Sequence, residues 1–106
     1  MEAALKAIAA PRRRQILSLV RDRELSAGEI ATNFDVTRPA ISQHLNVLKE
    51  AGLVTERRSG TRRLYRARPD GLAELRAFLE DFWDDRLDAL KREAESEEGK
   101  THGTDA

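Results

Sequence analysis

The sequence predicts a mostly α-helical domain with one small β-hairpin, in the order α-α-α-α-β-β-α. Helical spacing dominates: apolar residues recur three and four apart through residues 2–50 and again through 72–90. One short stretch, 53–67, is instead rich in β-formers and arginine, and turn residues bracket it at Gly52 and Ser59-Gly60-Thr61. Helix-start signals punctuate the rest, at Pro11, at Ser26 with Glu29, and at Thr37 with Pro39.

In chain order, residues 2–10 are good helix formers with Leu5 and Ile8 three apart. Pro11 opens a second helix whose apolar face is Ile16, Leu17 and Val20, with Arg12, Arg13 and Arg14 clustered at its start. Cations there oppose the helix dipole, a cost of up to about 1 kcal/mol that an anionic partner could offset. Solvated surface arginines explain the cluster equally well. Ser26-Ala27-Gly28-Glu29 has the spacing of a capping box and starts a short third helix through Ile30, Ala31 and Phe34. Asn33-Phe34-Asp35 makes a turn. Thr37 then caps a fourth helix, with Val36 and Ile41 placed as a hydrophobic staple. Gly52 ends that helix as the residue beyond its cap, and 53–57 and 63–67 read as two strands. Asp70 is the expected N-cap of the last helix. It carries Leu72, Leu75, Phe78, Leu79, Phe82, Trp83, Leu87 and Leu90, a stripe broader than a small domain can cover by itself. Residues 1–95 are therefore expected to form the domain, and the polar, Gly-containing 96–106 a disordered tail.

Length and composition narrow the function classes. A chain of 106 residues has room for one domain, and a globule this small buries only about two-thirds of its unfolded surface. With no cysteine there are no disulfides, thiolate metal sites or cysteine nucleophiles. The N-terminus has no signal-peptide core and no apolar run nears the ~20 residues of a membrane span, so a cytoplasmic protein is expected. Of the two histidines, His44 and His102, one lies in the expected tail, leaving little from which to build a nucleophile–histidine pair or a two-histidine metal site. Asp84, Asp85 and Asp88 read as a solvated helix face rather than a cation site, and no Gly-rich phosphate loop is present. An enzyme, a metal site and a cofactor are all poor readings.

The net charge of zero conceals a split. Residues 1–68 hold 14 Lys/Arg against 7 Asp/Glu, a net of +7, while 69–106 hold 5 against 12, a net of −7. Segregation of this kind suggests that the basic part meets a nucleic acid. Its focus is Val36–Ala67. On the fourth helix, Ile41, Leu45 and Leu48 share one face, and Arg38, Ser42, Gln43, Asn46 and Lys49 occupy the other. Those polar types reach phosphates and base edges in a major groove, glutamine pairing bidentately with adenine. The hairpin region adds Arg57, Arg58, Arg62, Arg63, Arg66 and Arg68. His44 flanks the apolar face, where packing and phosphate contact are both open to it. Two short helices joined by a tight turn, followed by a basic hairpin, make a winged helix-turn-helix.

The stretch resembles the signature of ArsR-type (ArsR/SmtB-like) repressors: Ser42-Gln43-His44-Leu45, then Leu48, then Ala51-Gly52-Leu53-Val54, followed by a basic wing. PRRRQIL at 11–17 is similar to that family's second helix, and FWDDRLDAL at 82–90 to the long final helix of a non-metal-sensing branch. The resemblance covers about residues 2–92. It implies a homodimer that binds double-stranded DNA at an inverted repeat in a promoter, often its own, and represses. Carried over residue by residue, it makes Thr37, Arg38, Ser42, Gln43 and His44 groove contacts, and Arg62 and Arg63 wing contacts. The terminal helices would pair the subunits through Leu5, Leu72, Leu75, Leu79, Phe82, Trp83, Leu87 and Leu90. The chain departs from the family's metal sensors: it has no cysteine, and no histidine between 72 and 95. Those sensing sites are missing, and the effector is left open. A reading from another class is a protein-interaction module whose acidic, aromatic last helix binds a different partner.

Overall fold

The structure, a computed structural model, describes residues 1–101, apart from the side chains of Asp85 and of 97–101. Eight elements follow in order: α1 (Glu2–Ala9), α2 (Pro11–Leu19), β1 (Leu25–Ser26), α3 (Ala27–Ala31), α4 (Arg38–Glu50), β2 (Val54–Ser59), β3 (Arg62–Ala67) and α5 (Pro69–Thr101). Met1–Leu75 form one compact unit and the residues from Arg76 onward a second.

The helix boundaries have local causes. Ser26 Oγ accepts from Glu29 N at 3.2 Å while Glu29 Oε1 accepts from Ser26 N at 2.9 Å, so the capping box closes in both directions. Thr37 Oγ1 accepts from Ala40 N at 3.3 Å and starts α4. Gly52, at φ +77, ends it in a Schellman motif: Leu53 N donates to Leu48 O and Gly52 N to Lys49 O. Proline opens α5, so its first helical residue is Pro69, and Asp70 lies within the first turn instead of capping it. At its far end α5 continues to Thr101. Residues 102–106 of the expected tail lie outside the described residues.

One element has no counterpart in the sequence reading. Leu25 and Ser26 form a two-residue strand that pairs antiparallel with β3, Leu25 opposite Tyr65 and Ser26 opposite Leu64. The sheet therefore has three strands, in the order β1-β3-β2. Two residues cannot display the alternation by which a strand is recognised, and this pairing is wholly non-local. The β2–β3 register places Ser59 opposite Arg62, leaving Gly60-Thr61 as a two-residue turn. Gly60 has φ +64, the sign a type II′ turn needs at its first central position.

The first unit closes around a wholly apolar core apart from the Tyr65 hydroxyl. Ile16, Val20, Ile30, Ile41, Leu45, Leu48 and Leu53 are fully buried, joined by Val54, Tyr65, Ala67 and Leu75. Truncating one of the buried leucines or isoleucines to alanine removes about 2–5 kcal/mol. Val36 and Leu5 pack against this cluster from its edge. Two backbone bonds fasten the hairpin stem to it: Ala67 N donates to Val20 O at 2.9 Å, and Arg68 N to Leu53 O at 2.8 Å.

Candidate nucleic-acid interface

Burial of Ile41, Leu45 and Leu48 dictates which face of α4 is left for solvent. Arg38, Ser42 and Asn46 follow one another at intervals of four residues and form a stripe along that face. Arg38 and Asn46 are exposed and Ser42 is half-buried. The wing stands beside the stripe. Together they enclose an open cleft of about 600 Å3, lined by Arg38, Ser42 and Asn46 from α4, by Arg62, Arg63 and Tyr65 from β3, and by Ser26 and Gly28 at the start of α3. Three arginines converge on it. Five of the eight sequence-expected DNA contacts, Arg38, Ser42, Asn46, Arg62 and Arg63, are thus brought to one place.

The other three lie elsewhere. Thr37 is exposed, but its hydroxyl is engaged as the cap of α4. Gln43 is exposed and lies off the cleft, roughly a quarter-turn around α4 from Ser42. His44 is half-buried and faces the N-terminal helices, where its Nδ1 lies 3.3 Å from Arg13 Nη1. Burial, then the charges of Arg13 and Arg12, push its pKa below 6.5. The neutral ring accepts at Nδ1 from the arginine and so carries its own proton on Nε2.

The arginines that open α2 have structural partners. Arg13 donates to Ala7 O at 2.7 Å and to Lys6 O, and Arg14 donates to Ile8 O at 2.7 Å and to Ala9 O. They satisfy the free carbonyls that end α1, so their charge sits at the favourable pole of the preceding helix. Arg12 stacks over the Phe34 ring with its guanidinium carbon 4.7 Å from the centroid. The offset by an anionic partner is unnecessary.

Carboxylates divide the wing. Arg57 grips Glu24 through two bonds of 2.7 and 2.8 Å, and this contact above all lowers the Glu24 pKa. Arg62 Nη2 donates to Glu29 Oε1 at 2.7 Å. Glu56 lies between Lys49 at 3.2 Å and Arg63 at 3.8 Å. Burial raises its carboxyl, yet those cations outweigh burial and leave its pKa lowered. Strand alternation puts Arg58 on the same face as Arg63, its direct cross-strand partner, and like charges so opposed repel, a cost that Glu56 beside Arg63 offsets only in part. Arg58 is therefore a candidate contact that the sequence reading did not single out, because only the register shows it beside Arg63. Glu24 and Glu29 gave no local signal of their arginine partners, which lie 33 residues away in each case.

The apolar stripe of α5 divides as well. Leu75 is buried in the core of the first unit and Leu72 packs against that core. Leu79, Phe82, Trp83, Leu87 and Leu90 are exposed, Trp83 by 61%. Among the described residues no three His, Cys, Asp or Glu side chains converge in a cation-binding group, and no helix is long and apolar enough to cross a membrane.

A helix-turn-helix whose second helix presents a polar face beside an arginine-bearing three-stranded wing defines the winged helix-turn-helix class. The family model for bacterial regulatory proteins of the arsR family matches residues 10–56, which span α2 through the middle of the hairpin's first strand. The chain is 45% identical over 94 residues to the HTH-type transcriptional regulator Rv2034 of Mycobacterium tuberculosis, covering 89% of this chain and 88% of that protein. It is 43% identical over 60 residues to the transcriptional repressor SdpR of Bacillus subtilis, covering 57% of this chain and 67% of that one. In fold it matches the solution structure of a homodimeric winged helix-turn-helix DNA-binding domain from Mycobacterium bovis, with a TM-score of 0.65 and 37% identity over 81% of this chain and 80% of that one. This chain belongs to the arsR family of bacterial regulatory proteins.

Proposed function

We propose that the protein is a homodimeric transcriptional repressor that binds an inverted repeat in a promoter, with its own upstream region the first candidate, and that it acts in the cytoplasm. The observation that carries the reading is the cleft between α4 and the wing, where a polar helix face and three arginines converge. α4 enters the major groove with Ser42, Gln43 and Asn46 toward base edges. Arg38, Arg62 and Arg63 hold phosphates on either side. Thr37 lies at the groove edge. His44 is chiefly a packing residue, with only its Nε2–H free to reach a phosphate.

Pairing through α5 supplies the second half-site. Its support is the row of exposed apolar side chains from Leu79 to Leu90, together with the homodimeric state of the M. bovis neighbour. Repression, as opposed to activation, is supported by the SdpR relative. Gel shifts against the upstream DNA and a scrambled control, with a promoter–reporter fusion alongside, test the whole reading. Preferential binding and a reporter that falls with added protein are expected. Equal binding to both DNAs would sink sequence-specific recognition, and a rising reporter would make the protein an activator.

The exposed aromatics of α5 also favour a second reading, a module that docks a different protein. Size-exclusion of the purified chain separates the two: a stable homodimer supports the first, and a monomer with weak DNA binding the second.

A further inference from the structure

Arg62 lines the DNA-facing cleft while its guanidinium is already engaged by an acid. Glu29 Oε1 accepts from Arg62 Nη2 at 2.7 Å and, with the same oxygen, from Ser26 N at 2.9 Å. One carboxylate oxygen thereby caps α3, the first helix of the helix-turn-helix, and ties the wing to it. Both side chains of the pair are about half exposed, at 55% and 48%, so solvent and salt reach it and it can be exchanged. A phosphate entering the cleft beside Arg38 and Ser42 meets Arg62 in this bound state. Arg57 is held by Glu24 in two bonds, and Arg57 is not among the cleft residues. Glu56 lies 3.8 Å from the cleft residue Arg63, beyond hydrogen-bond distance, whereas Glu29 holds Arg62 by a hydrogen bond of 2.7 Å in a single, exchangeable contact.

We propose that Glu29 is a positioning residue that competes with DNA phosphate for Arg62, holding the wing ready in the free protein while limiting how strongly it grips DNA of any sequence. The inference rests on the DNA-binding reading above. Its consequence is that neutralising an acid at the helix-turn-helix tightens indiscriminate binding, and does so through Arg62 alone. A contact that must first be broken lowers the net gain from the new one, so Arg62 contributes less to affinity than its place in the cleft suggests.

A double-mutant cycle on the full chain tests this with a short mixed-sequence duplex as probe. Glu29→Gln keeps the capping box, since glutamine serves at that position as glutamate does, and an unchanged melting temperature checks it. E29Q should bind the duplex about two- to fivefold more tightly, as expected for release of one exposed ion pair. Its log–log salt slope should steepen by about 0.9 for each phosphate that Arg62 gains. In the Arg62→Ala background the same substitution should change neither. Glu50→Gln removes a charge from exposed Glu50 on α4, for which no ion pair is found among the described residues, and controls for the general field. Equal tightening by E29Q with and without Arg62, or tightening no greater than that of E50Q, overturns the competition. Failure of the wild-type chain to bind any duplex overturns the DNA reading and this inference together; wild-type binding with an additive cycle overturns this inference alone.

Discussion

His44 shows how burial and neighbouring charge act on a residue for which the sequence leaves packing and phosphate contact both open. It belongs to a helix whose exposed face is polar, yet its ring turns toward Arg13 of α2, which donates to the carbonyls at the end of α1. Because its folded pKa is depressed, the unfolded chain binds the proton more readily. Stability is therefore full above pH 6.5 and falls as pH drops through the folded pKa. The lowered carboxyls of Glu24 and Glu29 act in a separate window below pH 4.5. Thermal melts between pH 7 and 5 should show a falling melting temperature that His44→Gln flattens, whereas a slope unaffected by that substitution would refute the assignment. Gln43, by contrast, is exposed, and its side chain has no hydrogen-bond partner among the described residues. Gln43→Ala should cost roughly 1–3 kcal/mol of discrimination at a single base pair and leave folding unchanged, measured by competition among operator variants. The two neighbours differ because helical geometry turns each successive side chain by about 100°.

At the scale of elements, α4, the wing and the turns that bound them are legible in the sequence, and the close approach of the start of α5 to the end of α4 is not. Thr37, Gly52 and Gly60 are local signals that a few adjacent residues suffice to read. Gly71 is different. It sits in the first turn of α5, where alanine would ordinarily stabilise a helix by about 1 kcal/mol. A Cβ at that position would collide with the Gly52 carbonyl oxygen at the end of α4. Gly71→Ala should therefore destabilise by roughly 1–3 kcal/mol in urea unfolding, and a stabilised variant would show that this approach of the two helix ends is not as close as it stands. Further along α5, Leu79→Asp combined with Trp83→Ala should yield monomers by size-exclusion while the circular dichroism of the first unit persists. Unchanged dimers would remove α5 from the interface. Leu75 offers no such test, since the core already encloses it.

Across the whole molecule, a net charge of zero coexists with a strongly basic first part. DNA affinity should fall steeply with salt despite that neutrality, because counterion release depends on the phosphates contacted and not on the protein's total charge. If Arg38, Arg58, Arg63 and in part Arg62 contact phosphates as proposed, three or four contacts per subunit would give a dimer a log–log slope of about −5 to −7. A slope near zero in salt-titrated gel shifts would exclude phosphate contacts as the main source of affinity.

The sequence by itself determined the main helices and the hairpin, the caps of α3 and α4, the buried face of α4 and the family, because each is written in residues close together or in a contiguous signature. Tertiary structure decided the rest. It alone added β1, sent Arg13 and Arg14 to the end of α1, placed Arg58 opposite Arg63, and set Glu24 and Glu29 against wing arginines. Each of these joins residues distant in the chain, through strand register or a side chain's reach across elements. Neither periodicity nor composition carries that information, so which wing arginines are held by an acid within the fold appears only once the chain has closed.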